Sequence, residues 1–224
     1  MSEQRAHESD QDKSKEASDW LSKKDQDQAR EEFIKNNKEQ FVDFLPQVLP
    51  DFSDNVIDQV GEYMARFFFG IRSVYRRYGF KYSEYELTYD TSDRNDYDGI
   101  AFHDLGNQYI IKISFFEKVA QILKDCGSVT ISAAGIQEMI PFEDMMEITG
   151  VEEAAHYLYF NEKGDHGAGP LSDASDKLRY FTSDEESRAL IWKLAYVRKY
   201  FPQYYDDLKD TWLKVREERK KARE

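Results

Sequence analysis

Residues 53–79 read SDNVIDQVGEYMARFFFGIRSVYRRYG, and this stretch predicts a long, deeply packed helix. Its large apolar side chains recur every three or four residues, as on the buried face of a helix. They are Val56, Ile57, Val60, Met64, Phe67, Phe68, Ile71, Val74 and Tyr75. Ser53 or Asp54 is expected to cap the helix at its start, and Gly79 to follow its end. The aromatic residues favour a hydrophobic core over a cofactor site.

Further helices are expected on both sides of this stretch, and a strand-rich segment between them. The apolar spacing predicts helices over residues 30–45, 115–127, 141–160 and 183–201, and a charged one after Pro202. Alternating apolar and polar residues predict strands at 80–89, 99–104 and 108–115, with a further short one at 128–132. The order of helices, strands and helices predicts an α+β fold, mainly helical, with a small antiparallel sheet in its middle.

The domain organisation is read from the composition along the chain. Residues 1–29 are almost wholly polar, so we expect a disordered polar tail, with Trp20 and Leu21 as its one bulky apolar pair. That pair is interpreted either as a docking point or as a contact back to the domain. Residues 30–222 are expected to form a single α+β domain.

Charge and composition exclude several classes of protein. The chain has 31 Lys and Arg against 44 Asp and Glu, a formal net charge of −13, which argues against direct binding of nucleic acid. The single cysteine, Cys126, cannot form an internal disulfide. No secretory signal is visible, and no run of about 18 apolar residues predicts a membrane span. We therefore expect a cytoplasmic protein with no membrane contact, and its oligomeric state stays open.

The segment Gly150–Phe160, GVEEAAHYLYF, contains an EExxH pattern in an apolar helix. Glu152 and His156 lie one turn apart on one face, the spacing at which the zinc-peptidase motif HExxH holds its metal. In that arrangement Glu152 and His156 are metal ligands, and Glu153 is the general base on the bound water. The carboxylate makes the ligand set harder, so the site would tolerate manganese or iron better than a two-histidine site does. In the alternative interpretation, both glutamates lie on a solvated edge and His156 packs with the core.

A third ligand for such a site is expected from a later helix. Glu186, about thirty residues downstream, is the candidate, because it opens the stretch ESRALIWKL. Ser183 and Glu186 also form an S-x-x-E capping box, in which the glutamate reaches back to its own N-cap. Ligation and capping exclude each other in geometry, and both stay open.

The strand-rich middle, the EExxH helix and the downstream ESRALIWKL together resemble the zincin-like metallopeptidase domains of the ImmA/IrrE type, over about residues 80–205. The resemblance implies a zincin-like arrangement, with Glu153 as the catalytic glutamate, His156 as the second histidine and Glu186 as the acidic ligand. This chain departs from the family pattern at Glu152, where the family has histidine. The resemblance also implies a protein partner or peptide substrate, since such proteins often switch a DNA-bound regulator.

Two function hypotheses follow. The first is a divergent or degenerate metal-dependent peptidase-like protein that acts on a protein partner, with a divalent metal if active and none if degenerate. The second is a non-catalytic acidic interaction or regulatory protein that binds no metal.

Two further clusters are weaker candidates. The acidic stretch with Asp90, Asp93, Asp96 and Asp98 fails the spacing of a calcium loop and is interpreted as a solvated loop. His166, in a glycine-rich loop, is a candidate extra ligand or hydrogen-bond donor, although an exposed loop histidine is the simpler interpretation.

Overall fold

The structure, a computed structural model, describes residues 20–78, 86–90, 101–104, 108–128, 130–131, 140–163 and 184–221. The helices are α1 (Lys23–Val48), α2 (Asp54–Tyr78), α3 (Ile113–Cys126), α4 (Phe142–Lys163), α5 (Asp184–Tyr200) and α6 (Tyr205–Lys221), with a 3-10 turn at Pro202–Tyr204. The strands are β1 (Glu86–Asp90), β2 (Ala101–Asp104), β3 (Gln108–Lys112), β4 (Thr130–Ile131) and β5 (Ile140–Pro141).

The predicted α+β fold with a small antiparallel sheet in its middle is wrong. Helices make up most of the described residues. The short strand β3 lies between β1 and β2 and pairs with β1 in parallel, so these strands do not form an antiparallel sheet. The helices pack mainly on one another, α1 on α2, α2 on α4 and α4 on α5. Large aromatic residues at helical spacing are buried between the helices, so the core is that of a helical bundle.

The sequence predicted the individual helices better than it predicted the fold class. Helix α2 begins at Asp54, one of the two residues predicted to cap its start. Helix α3 is followed by Gly127, whose φ of 75° glycine adopts without strain. The strand predicted at 108–115 stops at Lys112, and Ile113 begins α3. The buried side chains of α3 include Ile113, Phe116 and Leu123. The helical spacing of these apolar residues overlaps the end of the alternating pattern, so the strand ends earlier than predicted.

The N-terminal boundary also differs from the prediction. Helix α1 begins at Lys23, capped by Ser22, so the predicted boundary at residue 30 lies inside a helix. Trp20 is buried, and its ring contacts Trp192 and Tyr196 of α5 edge-on. Lys199 donates a hydrogen bond to the carbonyl of Trp20. Trp20 therefore packs back on the domain, and the hydroxyl of Tyr200 donates a hydrogen bond to the carbonyl of Leu21. Residues 1–19 of the predicted tail lie outside the described residues.

Helix α2 is the centre of the bundle, and it contacts α1 on one side and α4 on another. Phe67 and Phe68 are fully buried, and Phe68 stacks on Phe41 of α1 with ring centroids 5.1 Å apart. On the α4 side, Tyr63 meets the ring of Phe142 edge-on at 4.8 Å. The predicted core stripe is thus shared between two neighbouring helices.

The crossing of α2 and α4 requires glycine on both helices. A Cβ atom at Gly150 would lie 2.0 Å from the carbonyl oxygen of Phe67, and one at Gly70 would lie 2.1 Å from the carbonyl oxygen of Glu147. Both contacts are with backbone atoms, which cannot move aside as a flexible side chain can. The two helix backbones therefore touch at this crossing, and α4 is fixed in position along α2.

Replacing Gly150 by alanine is expected to lower the free energy of unfolding by about 3 kcal/mol, at the upper end of the usual cost of overpacking. Urea unfolding followed by circular dichroism measures this change. Gly127→Ala is the matched control, since a Cβ there meets nothing within 4 Å. It is expected to cost only about 1 kcal/mol through its left-handed backbone. Equal stability of wild type and Gly150→Ala would contradict the close crossing.

Candidate functional site

Helix α4 places the three residues of the EExxH pattern beside its buried face. Val151 and Ala155 are fully buried, whereas Glu152, Glu153 and His156 are partly exposed. The pattern therefore lies at the border between core and solvent. What distinguishes the two interpretations of the pattern is the set of groups around Glu152.

Glu152 forms an ion pair with Lys193 of α5, in which the ammonium donates to Oε2 of the carboxylate. The side chain of Lys193 is 10 % exposed and that of Glu152 is 26 % exposed, so water screens the pair only in part. The Lys193 ammonium also lies 4.2 Å from the ring centroid of Trp212 on α6, a cation–π distance. Three helices thus meet at one positive charge.

The residues around Glu152 do not fit a divalent metal. A metal at Oε2 would displace the Lys193 ammonium or lie beside it, and two cations in a partly buried site repel each other strongly. Within the described residues, no three His, Cys, Asp or Glu side chains come together as a metal-binding group. Glu153 and His156 share the helix with Glu152, but the Glu152 carboxylate, which would be the first metal ligand, is paired with the Lys193 ammonium.

The structure brings the two helices of the predicted site together, with a different residue opposite Glu152. Contacts of Glu147 with Tyr196 and of Glu152 with Lys193 show that α4 and α5 run antiparallel. Position 186 lies seven residues before Lys193, about two turns, and so on the same stripe of α5. If the same antiparallel register continues, His156 of α4 lies level with about residue 189 of α5. Position 186 of α5 then lies about one turn beyond that level.

Several predicted features lie outside the described residues. Ser183 is among them, so the capping box with Glu186 stays a prediction. The same holds for the acidic loop that contains Asp93, Asp96 and Asp98, and for His166.

A buried polar network near the middle of α4 was not predicted from the sequence. Glu147 is fully buried, and Arg30 of α1 donates to both of its oxygens, from Nε at 2.6 Å and from Nη2 at 3.0 Å. The hydroxyl of Tyr196 on α5 donates to Oε1 at 2.5 Å. Burial opposes the charge of Arg30, but Glu147 outweighs it and raises the pKa of the guanidinium. Burial and the Glu147 charge together raise the pKa of Tyr196 well above its ordinary value.

Gln26 connects this network to α2. Its side-chain nitrogen donates to the hydroxyl oxygens of Ser73 at 2.8 Å and Tyr196 at 2.7 Å. Arg76 in turn donates to the side-chain oxygen of Gln26 at 2.6 Å. Every polar atom of the Gln26 side chain therefore has a partner, which is what a fully buried amide requires.

The sequence carries a signal for part of this network only. Glu147 stands among Met145, Met146 and Ile148, and a charged residue inside an apolar helical stretch indicates a buried partner. Gln26 gives no such signal, because its neighbours in sequence are all polar. Its burial depends on where α1 crosses α2 and α5.

A second carboxylate, Asp144, lies one turn before Glu147 on α4. Arg66 of α2 is near both, with Nη1 at 3.9 Å from Asp144 Oδ1 and 3.7 Å from Glu147 Oε2. The hydroxyl of Tyr204 donates to Asp144 at 3.4 Å. Burial raises the pKa of Asp144, and Arg66 offsets this only in part.

Comparison with known proteins adds no family to these observations. No family model matches the chain, and neither the curated proteins nor the solved structures contain a significant match to it. The resemblance to metallopeptidases of the ImmA/IrrE type therefore stays a prediction. None of the helices in the described part of the chain is long and apolar enough to span a bilayer.

Glu147→Gln is expected to lower the free energy of unfolding by about 3–5 kcal/mol, because it removes the fully buried counter-charge of the Arg30 guanidinium and leaves that group paired with the partly exposed Asp27. Urea unfolding measures the loss, and Glu62→Gln is the control. Glu62 pairs with Lys38 near the surface, so its change should stay below about 1 kcal/mol. The double variant Arg30→Met/Glu147→Leu should lose less stability than the sum of the losses in the single variants Arg30→Met and Glu147→Leu. Additive losses would contradict a coupled pair.

Asp144→Asn is expected to gain stability relative to wild type as the pH rises above the ordinary aspartate pKa of 3.8. A carboxyl whose pKa is raised on folding binds more protons in the folded state than in the unfolded state. The contribution of Asp144 to wild-type stability therefore falls as the pH rises through the interval between its unfolded and folded pKa values. The asparagine variant lacks this loss. Urea midpoints of both proteins, measured across that pH interval, test whether the stability difference in favour of Asp144→Asn grows with pH. A stability difference that does not change with pH would contradict the raised pKa.

Proposed function

We propose that this chain is a non-catalytic, acidic interaction protein that binds a basic surface of a protein partner. The observation that carries the proposal is the ion pair between Glu152 and Lys193. A peptidase of the EExxH type needs the Glu152 carboxylate for its metal, and here an ammonium of the same chain is bound to it. Because the metal would have to compete with a covalently attached cation, metal-dependent catalysis at this helix is disfavoured.

The charge distribution supports a basic partner. The net charge is −13, and residues 39–65 contain no lysine or arginine. Glu39, Asp43 and Asp51 are exposed around the turn between α1 and α2. We call residues 39–58 the acidic hairpin. Its negative potential favours the approach of a positively charged surface and repels the phosphate backbone of nucleic acid.

Glu147 and Glu152 of α4 contribute less to this surface charge than the carboxylates of the acidic hairpin do. Glu147 is neutralised by Arg30, and Glu152 by Lys193, within the bundle. Lys38 offsets part of the charge of the acidic hairpin through its contact with Asp58 at 2.7 Å, and it also contacts Glu62 at 3.3 Å. The excess negative charge of the hairpin is therefore exposed to a partner.

A second candidate function, a divergent metal-dependent peptidase, has one observation in its favour. Helices α4 and α5 pack side by side, and position 186 lies on the stripe of α5 that contains Lys193. With Glu152 occupied, the metal would depend on His156 and Glu186, with Glu153 as base. This ligand set is smaller than that of an active zincin site.

The experiment that separates the two functions compares protein capture by wild type and by Glu153→Gln, each immobilised and exposed to extract of the source cells. A non-catalytic binder captures the same intact, basic proteins with both. A peptidase releases cleaved products with wild type and retains intact substrate with the variant, since Glu153 would be its base. Metal-dependent cleavage that Glu153→Gln abolishes would overturn the proposed function.

Neutralising the acidic hairpin is expected to weaken binding of the captured partner about tenfold and to reduce its salt dependence. The variant is Glu39→Gln/Asp43→Asn/Asp51→Asn. The control, Asp210→Asn/Glu217→Gln/Glu218→Gln, removes three exposed charges from α6 and should bind like wild type. Titration at two salt concentrations measures both effects. Equal losses in the two variants would show that net charge alone, and not the hairpin, attracts the partner.

A further inference from the structure

We infer that Arg72 and Arg76 of α2 form a binding site for a phosphate dianion, carried on a phosphorylated side chain or free in solution. These two residues, here called the arginine pair, lie near the end of α2, whereas the acidic hairpin includes the start of that helix. The site is therefore separate from the surface proposed to bind a basic partner, and its ligand is an anion.

The arginine pair carries two positive charges without a counter-charge. Arg72 and Arg76 are exposed and lie one helical turn apart on α2. In the described part of the chain, neither guanidinium contacts a carboxylate, whereas Arg30, Lys38 and Lys193 each do. Burial, together with the Arg72 charge, lowers the pKa of Arg76, as expected where no counter-ion is present. Like charges at this spacing repel, and an anion between them would remove the repulsion.

Arg72 is held in position by an aromatic ring. Its guanidinium carbon lies 5.1 Å from the ring centroid of Phe33 on α1, and Phe33 is buried. The ring attracts the positive charge through its negative face. The N–H donors lie in the plane of the guanidinium, so this contact leaves them for a ligand.

Arg76 is oriented by the buried polar network. The hydroxyl of Tyr196 donates to Glu147, and the hydroxyl of Ser73 donates to a backbone carbonyl of its own helix. Both hydroxyl oxygens can therefore only accept from the Gln26 amide, which turns its nitrogen toward them. The amide oxygen is left to accept from Nη2 of Arg76 at 2.6 Å. The guanidinium is thus positioned before any ligand binds.

The charge and the donor geometry of the pair favour phosphate over carboxylate. A phosphate monoester carries about −1.5 to −2 charges at neutral pH and three acceptor oxygens, enough for two guanidiniums. Each planar guanidinium can donate two parallel hydrogen bonds to phosphate oxygens. A carboxylate has a single charge and two oxygens, which one arginine already satisfies. Nucleic acid is a weaker candidate, because its backbone is bound by a longer row of cations.

The test is a two-dimensional NMR titration of the full chain that follows the side-chain Nε–Hε signals of its arginines and the backbone signals of α2. The probes are inorganic phosphate and a short peptide with one phosphoserine, and acetate at equal ionic strength is the reference. Both phosphate probes are expected to shift the signals of Arg72 and Arg76 in one saturable transition. Acetate is expected to bind at least about tenfold more weakly.

Three variants assign the binding to the arginine pair. Arg72→Gln/Arg76→Gln is expected to weaken phosphate binding at least about tenfold. Arg72→Lys/Arg76→Lys keeps both charges but loses the planar donors, so it should bind at least about threefold more weakly, and it is decisive if the glutamine variant does not fold. Lys118→Gln/Lys214→Gln is the matched control, because it removes two exposed positive charges from α3 and α6 and should bind like wild type.

The two phosphate probes distinguish the source of the ligand. Binding of the peptide about tenfold more tightly than inorganic phosphate would assign the site to a phosphorylated protein, and equal affinities would assign it to free phosphate. The inference is wrong if neither probe binds wild type, if acetate binds as tightly as phosphate, if both folded arginine variants bind like wild type, or if the lysine control loses as much. None of these results involves the acidic hairpin, so the proposed function is tested separately.

Discussion

The buried carboxylate of Glu147 is the constraint on which the rest of the bundle depends. It is fully withdrawn from water, so the hydrogen bonds from Arg30 and Tyr196 are needed to stabilise its charge. Arg30 belongs to α1, and Tyr196 belongs to α5. A single charge on α4 therefore fixes the position of two other helices, and Gln26 extends the same network to α2 through Ser73.

The glycine crossing and the polar network act at the same place. Gly70 of α2 lies against the backbone of Glu147, and Gly150 of α4 lies against the backbone of Phe67. The close approach of the backbones sets the height of α4 along α2, and this height brings the Glu147 side chain within reach of Arg30. Steric and electrostatic requirements thus select the same arrangement, which is typical of a sequence that specifies one packing.

Pairing of helix charges inside the bundle also supports the proposal that the EExxH pattern has no metal-dependent role. The pattern describes side chains on one helix, whereas a metal responds to all charges within a few ångströms. Lys193 is forty-one positions from Glu152 in the chain and bound to it in the fold. An apparent ligand on α4 is therefore one half of an ion pair between helices.

The sequence by itself determined the helices: the apolar stripe of α2, its start at Asp54 and the end of α3 at Gly127 follow from local spacing and caps. It also predicted the pattern on α4 that contains Glu152. Local spacing could not determine that β1 and β3 pair in parallel, or that Lys193 lies against Glu152. The pairing of strands and of buried charges depends on contacts between segments far apart in the chain, and only the tertiary structure decides which segments meet.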